Sequence, residues 1–182
     1  MSNPFFDWFF PIVTELLRVD FVKWLVLPAV LLGIFFALRS RFISFVLAMG
    51  LSIAITDITS HHLIKKSLER PRPPQTEGLN VQLRTFPHAG FSFPSNHAAN
   101  NFAGAVVLSF FFFRGRRYFF AFAALIAFSR VYVGIHFPLD VIGGALLGVG
   151  VATLILKGIR PLDNWVASKF GGNAPSRFPS PP

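Results

Sequence analysis

The sequence predicts an all-α, polytopic membrane helix bundle. Three observations carry that expectation. Hydrophobic residues fill 53% of the 182 positions and charged residues only 14%, whereas a soluble domain carries about 25% charged residues. Five apolar stretches approach the ~20 residues that a helix needs to cross a bilayer. The basic residues sit in short clusters between those stretches. Within hydrocarbon a chain of this kind satisfies its backbone through helices rather than open strands. The composition excludes disorder and an ordinary soluble domain. The lack of cysteine excludes disulfide frameworks and thiolate sites. With a net charge of +9, anionic lipid headgroups and phosphorylated substrates are the expected partners, not nucleic acid.

The five spans are Phe21–Leu38, Phe42–Ile64, Ser95–Phe113, Tyr118–Val133 and Phe137–Leu156. They form the central unit, residues 21–160. Before it, residues 1–20 hold a Phe- and Trp-rich segment, Pro4–Leu17, interrupted by Asp7, Pro11 and Glu15. That segment is expected to lie in the membrane interface, a sixth helix if counted. The first residues lack a basic n-region and a small-residue cleavage site, so no cleavable signal is expected. Residues 161–182 are expected to form a C-terminal segment ending in a flexible, Gly-, Pro- and Ser-rich tail, Gly171–Pro182. Gly144 and Gly148 stand in G-x-x-x-G spacing on the fifth span. Close packing inside the bundle is expected of them, ahead of a dimer interface.

Five spans fix which connections share a side. Arg39 and Arg41, then Arg114, Arg116 and Arg117, then Lys157 and Arg160 face one side, the cytoplasm by the positive-inside rule. Lys65, Lys66, Arg70, Arg72 and Arg84 face the other and break that trend, which points to an anion bound there.

Three polar clusters meet on this second side. The first runs Lys65-Lys66-Ser67-Leu68-Glu69-Arg70-Pro71-Arg72-Pro73. Taken alone, such a run at a span end is usually a headgroup anchor. The second is Phe93-Pro94-Ser95-Asn96-His97, where a helix start offers free N–H groups and a dipole to an anion. A lone histidine there is more often structural. The third runs from Ser129-Arg130 to His136 and Asp140. His136 and Asp140 are four apart, within reach on one helical face. A carboxylate on one imidazole nitrogen fixes the tautomer and leaves the other as nucleophile or base. Together the clusters supply cations for phosphoryl oxygens, a nucleophile and an acid, the equipment of phosphoryl transfer.

Three spaced motifs in this order resemble the type-2 phosphatidic acid phosphatase superfamily, which also includes vanadium haloperoxidases. Its signature is K-x-x-x-x-x-x-R-P, then P-S-G-H, then S-R-x-x-x-x-x-H-x-x-x-D. Lys65 to Arg72-Pro73 fits the first, Pro94-Ser95-Asn96-His97 the second with Asn96 in place of Gly, and Ser129-Arg130 to Asp140 the third. The resemblance implies catalytic roles for His136, His97 and Asp140. His136 would attack phosphorus and become a phosphohistidine, Asp140 would orient it, and His97 would protonate the leaving oxygen. Lys65, Arg72, Ser95, the backbone N–H of Asn96 and Arg130 would bind phosphate. Lys66 and Arg70 have no motif position and are expected as headgroup contacts. The resemblance implies no cofactor and no metal.

Asp57, His61 and His62 lie outside the signature, and a structural hydrogen bond between Asp57 and His61 is expected. The expected activity is that of a bacterial membrane lipid phosphatase, with its site facing the periplasm or cell exterior. Undecaprenyl diphosphate, phosphatidylglycerol phosphate, phosphatidic acid and the lipid A 1-phosphate are the expected substrates, the polyprenyl diphosphate first. A lipid phosphotransferase using the same intermediate is the nearest alternative. A transporter or scaffold leaves the His136–Asp140 spacing and the ordered motifs unexplained.

Overall fold

The computed structural model describes residues 3–15, 20–86 and 89–170, and every regular element among them is helical. The elements are α1 (Pro4–Thr14), α2 (Leu27–Leu38), α3 (Phe42–Ile58), the single turn α4 (Lys66–Leu68), α5 (Asn96–Phe111), α6 (Arg116–Tyr132) and α7 (Pro138–Phe170). Leu16 and Leu17, which close the expected N-terminal segment, and Gly171–Pro182 lie outside the described residues.

α1 starts where Asn3 caps it, its Oδ1 accepting from Phe5 N at 3.0 Å and Phe6 N at 3.4 Å, with Pro4 pre-set for the first turn. Eleven residues rise only about 16 Å, about half of the ~30 Å hydrocarbon core. α1 is therefore too short to cross a bilayer. It packs on α6 instead, burying Phe10 and Thr14 while Phe5, Phe6 and Trp8 face outward.

Among the described residues, two helical stretches are both long and apolar enough to span: Val22–Gln75, with mean hydropathy 1.9, and Pro138–Phe170, with 2.1. The first folds back at Arg39, whose φ of 51° ends α2. α2 exposes Leu27, Val30, Leu32 and Phe36 around its circumference, the pattern of a helix whose solvent is lipid. α3 continues through a π-helical stretch, Thr59–Lys65. Bonding from i to i+5 brings residues five apart nearly into line, so Ser60 and Lys65 both point inward, 0% and 8% exposed.

α5 is the central helix, with α3, α6 and α7 all packed on it. Its face is made of small buried residues, Ala98, Ala99 and Ala103, which let backbones approach closely. Gly144 and Gly148 of α7 lie against the Ser95 and Ala99 backbones of α5, where a Cβ would overlap the carbonyl oxygens. The G-x-x-x-G pair is thus used inside the bundle. Further along, Phe45, Val107, Phe111, Ala152 and Leu156 close the core.

α7 runs past the expected end at Leu156, through Pro161, to Phe170. A tertiary contact accompanies this extension. Asp163 is 2% exposed and accepts from Arg41 Nε at 2.9 Å and Nη2 at 2.5 Å. Such a bidentate fork fixes geometry as well as charge. It ties the far end of α7 to the turn between α2 and α3.

The α5–α7 contact yields a paired test. Gly148→Ala should lower the thermal unfolding midpoint in detergent, by a loss of about 1–3 kcal/mol typical of overpacking. Gly150→Ala, where a Cβ meets nothing within 4 Å, should cause no loss.

Candidate active site

The three polar clusters converge at one end of the bundle. Each is placed by a helix terminus. The first lies beyond the end of α3, where the π-helical stretch and α4 stop at Glu69 in a left-handed conformation, φ 44°. From there Arg72 returns under the site, 7% exposed. Its Nε donates to Gly90 O at 3.0 Å, and its Nη1 donates to Ile135 O at 3.1 Å and lies 3.2 Å from His136 Nε2. Lys65 Nζ donates to Phe91 O at 3.0 Å. Lys66 is exposed.

The second cluster opens α5. Ser95 is its N-cap, with Oγ accepting from Ala98 N at 3.5 Å. Ser95 N donates to Asp140 O at 2.9 Å, joining the second cluster to the third. Asn96 and His97 follow in the first turn. His97 is exposed, and its carbonyl accepts from Asn101 Nδ2 at 2.9 Å.

The third cluster spans the connection from α6 to α7. His136 lies in that connection, 4% exposed, and Asp140 in the first turn of α7, 0% exposed. His136 Nδ1 lies 3.4 Å from Asp140 Oδ2. The tautomer follows from the other nitrogen. A guanidinium only donates, so Nε2 facing Arg72 carries the lone pair and Nδ1 carries the proton toward Asp140. Burial pushes the His136 imidazole down to about 4; the Asp140 carboxylate pulls the other way, while the Arg72 and Arg130 cations add to the fall. The ring is therefore neutral near pH 7, with Nε2 available to an electrophile.

Asp140 has further partners that the sequence did not announce. Its Oδ2 accepts from Phe137 N at 2.8 Å and from the Ser92 hydroxyl, and its Oδ1 from Arg70 Nη1 at 2.8 Å. Arg70, expected at the headgroup, instead reaches this carboxylate, with its guanidinium 4.4 Å over the Phe137 ring. Arg130, 1% exposed, donates through Nη1 to Thr14 Oγ1 at 2.6 Å and lies 3.8 Å from Glu15. α1 thus holds a cation of the third cluster. It is pinned itself by Asp7, whose Oδ1 accepts from Arg84 Nε at 2.6 Å and Tyr132 OH at 2.8 Å.

The expected bond between Asp57 and His61 gives way to another. Asp57 turns across to α5, where its Oδ1 accepts from Asn96 Nδ2 at 3.0 Å and Asn100 Nδ2 at 3.1 Å. The exposed His61 ring packs edge-on against His62, centroids 5.3 Å apart. Among the described residues no three His, Asp or Glu side chains converge as a metal ligand set.

Comparison with known proteins agrees with this geometry. The PAP2 superfamily profile matches residues 41–162. The chain is 30% identical over 161 residues to a lipid A 4'-phosphatase of Bacteroides thetaiotaomicron, covering 81% of this chain and 67% of that protein. It is 32% identical over 138 residues to an undecaprenyl-diphosphatase of Sulfolobus acidocaldarius, covering 74% of this chain and 62% of that protein. The crystal structure of Aquifex aeolicus LpxE superposes with a TM-score of 0.65 at 32% identity, covering 86% of this chain and 88% of that one. With its ordered motifs, its all-helical apolar bundle and these matches over most of its length, the chain belongs to the PAP2 superfamily.

Proposed function

We propose that this chain is a membrane lipid phosphatase that hydrolyses a lipid phosphate or diphosphate through a phosphohistidine on His136. The observation that carries this reading is the His136 imidazole itself. It is buried, with Nδ1 3.4 Å from Asp140 Oδ2 and Nε2 3.2 Å from Arg72 Nη1. The relatives named for a lipid A phosphate and for undecaprenyl diphosphate support a lipid substrate of this class.

The reaction divides into two displacements. The phosphate enters at Arg72 and takes over its N–H groups, with Lys65, Arg130, Ser95 and the Asn96 N–H completing the cradle. His136 Nε2 forms a bond to phosphorus while the bond from phosphorus to the lipid oxygen breaks. That oxygen leaves with the electron pair and takes a proton from His97. Water, giving a proton back to His97, then attacks phosphorus, the N–P bond breaks, and inorganic phosphate departs. Asp140 stabilises the positive charge that develops on the His136 ring during attack. Its own donors, Ser92, Phe137 N and Arg70, hold it in place.

The site belongs on the outer face of a bacterial inner membrane. Supporting this, the short basic connections around Arg41 and around Arg114–Arg117 lie at the other ends of the helices. Cysteines introduced singly at Thr76 and Gly115 test it in intact cells. An impermeant thiol reagent should label the first and spare the second; the reverse pattern moves the substrate pool to the inner leaflet.

Phosphate release from purified protein in detergent tests the chemistry. His136→Ala should lose turnover by several orders of magnitude on every substrate, as removal of a nucleophile does. A monoester expels an alkoxide, a diphosphate a far better leaving group. His97→Ala should therefore harm monoester hydrolysis more, within the about 10²–10⁴-fold range of general acid catalysis. Equal damage to both substrates, with chemistry rate-limiting, would reassign His97 to ground-state binding.

The acid limb of kcat/KM gives an independent reading. With His136 held at about 4, the limb due to its protonation should fall near that pH and not near the ordinary histidine value of about 6.5. The sign for stability is the same. Between those two values the unfolded chain binds a proton at this residue that the folded one does not, so stability drops as pH falls through the window. An imidazole titration of His136 near neutrality, followed by NMR, would contradict both.

A further inference from the structure

Asp57 lies about two helical turns before Lys65, where the first signature motif begins, and carries no part of the reaction above. Yet it meets the one signature position where this chain departs from its family. Asn96 stands where the second motif has Gly. Its side chain crosses to α3, donating through Nδ2 to Asp57 Oδ1 at 3.0 Å and accepting through Oδ1 from Ser60 Oγ at 2.6 Å. An ionised carboxylate only accepts, and an amide has a donating and an accepting end. The two partners therefore permit one orientation, since a flip would set two acceptors face to face at Asp57. Asn100, one turn along α5, donates to the same oxygen at 3.1 Å. Ser60 is fully buried, so its hydroxyl has a strong need for this partner.

The site explains why the side chain must be held. The first N–H groups of α5 are unsatisfied by the helix and are aimed at an anion. Glycine leaves that approach open. An asparagine adds an amide within reach of it, whose oxygen would compete with phosphate for those donors. We propose that Asp57, with Ser60, is a positioning residue. It draws the Asn96 amide onto α3 and keeps the anion cradle at the start of α5 clear. The same bonds lock the helix that carries Lys65 to the helix that carries Ser95 and His97. This inference rests on the phosphate-cradle reading above, which the experiment tests separately.

A double-mutant cycle decides it. In purified protein in detergent, Asp57→Ala should raise KM for dioleoyl phosphatidic acid and the inhibition constant of orthovanadate by about tenfold, with kcat nearly kept, the signature of lost ground-state binding. Asp57→Asn keeps an oxygen for the Asn96 amide and should restore most of both. In an Asn96→Gly background, Asp57→Ala should shift neither constant by more than about twofold, because interacting residues are not additive. Equal shifts in both backgrounds would assign Asp57 to helix packing through Asn100 and overturn the inference. So would no shift in either. Should Asp57→Ala fail to fold, Ser60→Ala against Asn96→Gly runs the same cycle from the other end of the amide. If the unsubstituted protein releases no phosphate from any lipid phosphate, the proposed activity falls. Orthovanadate binding to the same variants, read by calorimetry, still decides the role of Asp57.

Discussion

The site is organised around one buried carboxylate. Asp140 has no access to water, so its charge is tolerable only if donors surround it. Those donors come from three separated parts of the chain: Arg70 from the first cluster, Ser92 from the approach to the second, and the Phe137 N–H and His136 from the third. The Asp140 backbone carbonyl also receives Ser95 N. Satisfying this residue therefore assembles the three motifs, and the assembled motifs define the proposed phosphate site. Removing one donor would leave a buried charge short of a partner, a larger effect than the net worth of one hydrogen bond.

The cations obey the same constraint with opposite sign. Arg72 and Arg130 are nearly buried and need acceptors while no substrate is bound. Arg72 uses the carbonyls of Gly90 and Ile135, and Arg130 uses Thr14 and sits near Glu15. Neutral carbonyl acceptors hold the Arg72 guanidinium without cancelling its charge, whereas Glu15 partly offsets the charge of Arg130. This is preorganisation in the electrostatic sense. The α1 helix thus contacts a cation of the proposed site, which its Phe- and Trp-rich surface alone does not suggest.

Much of this was legible in the sequence. Apolar stretches marked the helices, and Ser95 after Pro94 marked the start of α5 to within a residue. The spacing of His136 and Asp140 foretold their contact. What escaped were features without a periodic or motif signal. Ser92 is one serine in an irregular segment and matters only once that segment folds beneath α7. Thr14 and Glu15 act across more than a hundred residues of chain. The π-helical stretch at Thr59–Lys65 breaks the 3.6-residue register, so an α-helical reading pairs Asp57 with His61 and misses Asn96. The fifth span was expected to end at Leu156, where the apolar run gives way to Lys157 and Arg160, yet α7 continues to Phe170. Asp163, held by Arg41, is a partner that local sequence cannot reveal.

The hold of α1 on Arg130 has a consequence for how the protein is made. The Thr14 and Arg130 hydrogen bond joins residues 116 positions apart, and Asp7 waits for Arg84 and Tyr132. Synthesis delivers α1 before α6, so Arg84, Arg130 and Tyr132, which bind its polar face, emerge much later. During membrane insertion α1 must remain at the water-facing surface with Asp7 and Glu15 solvated, because burying them early would strand their charge. Closing long loops is slow relative to local helix formation. The contacts of α1 with Arg130 and Tyr132 thus wait for α6, and a chain without α6 in place lacks them.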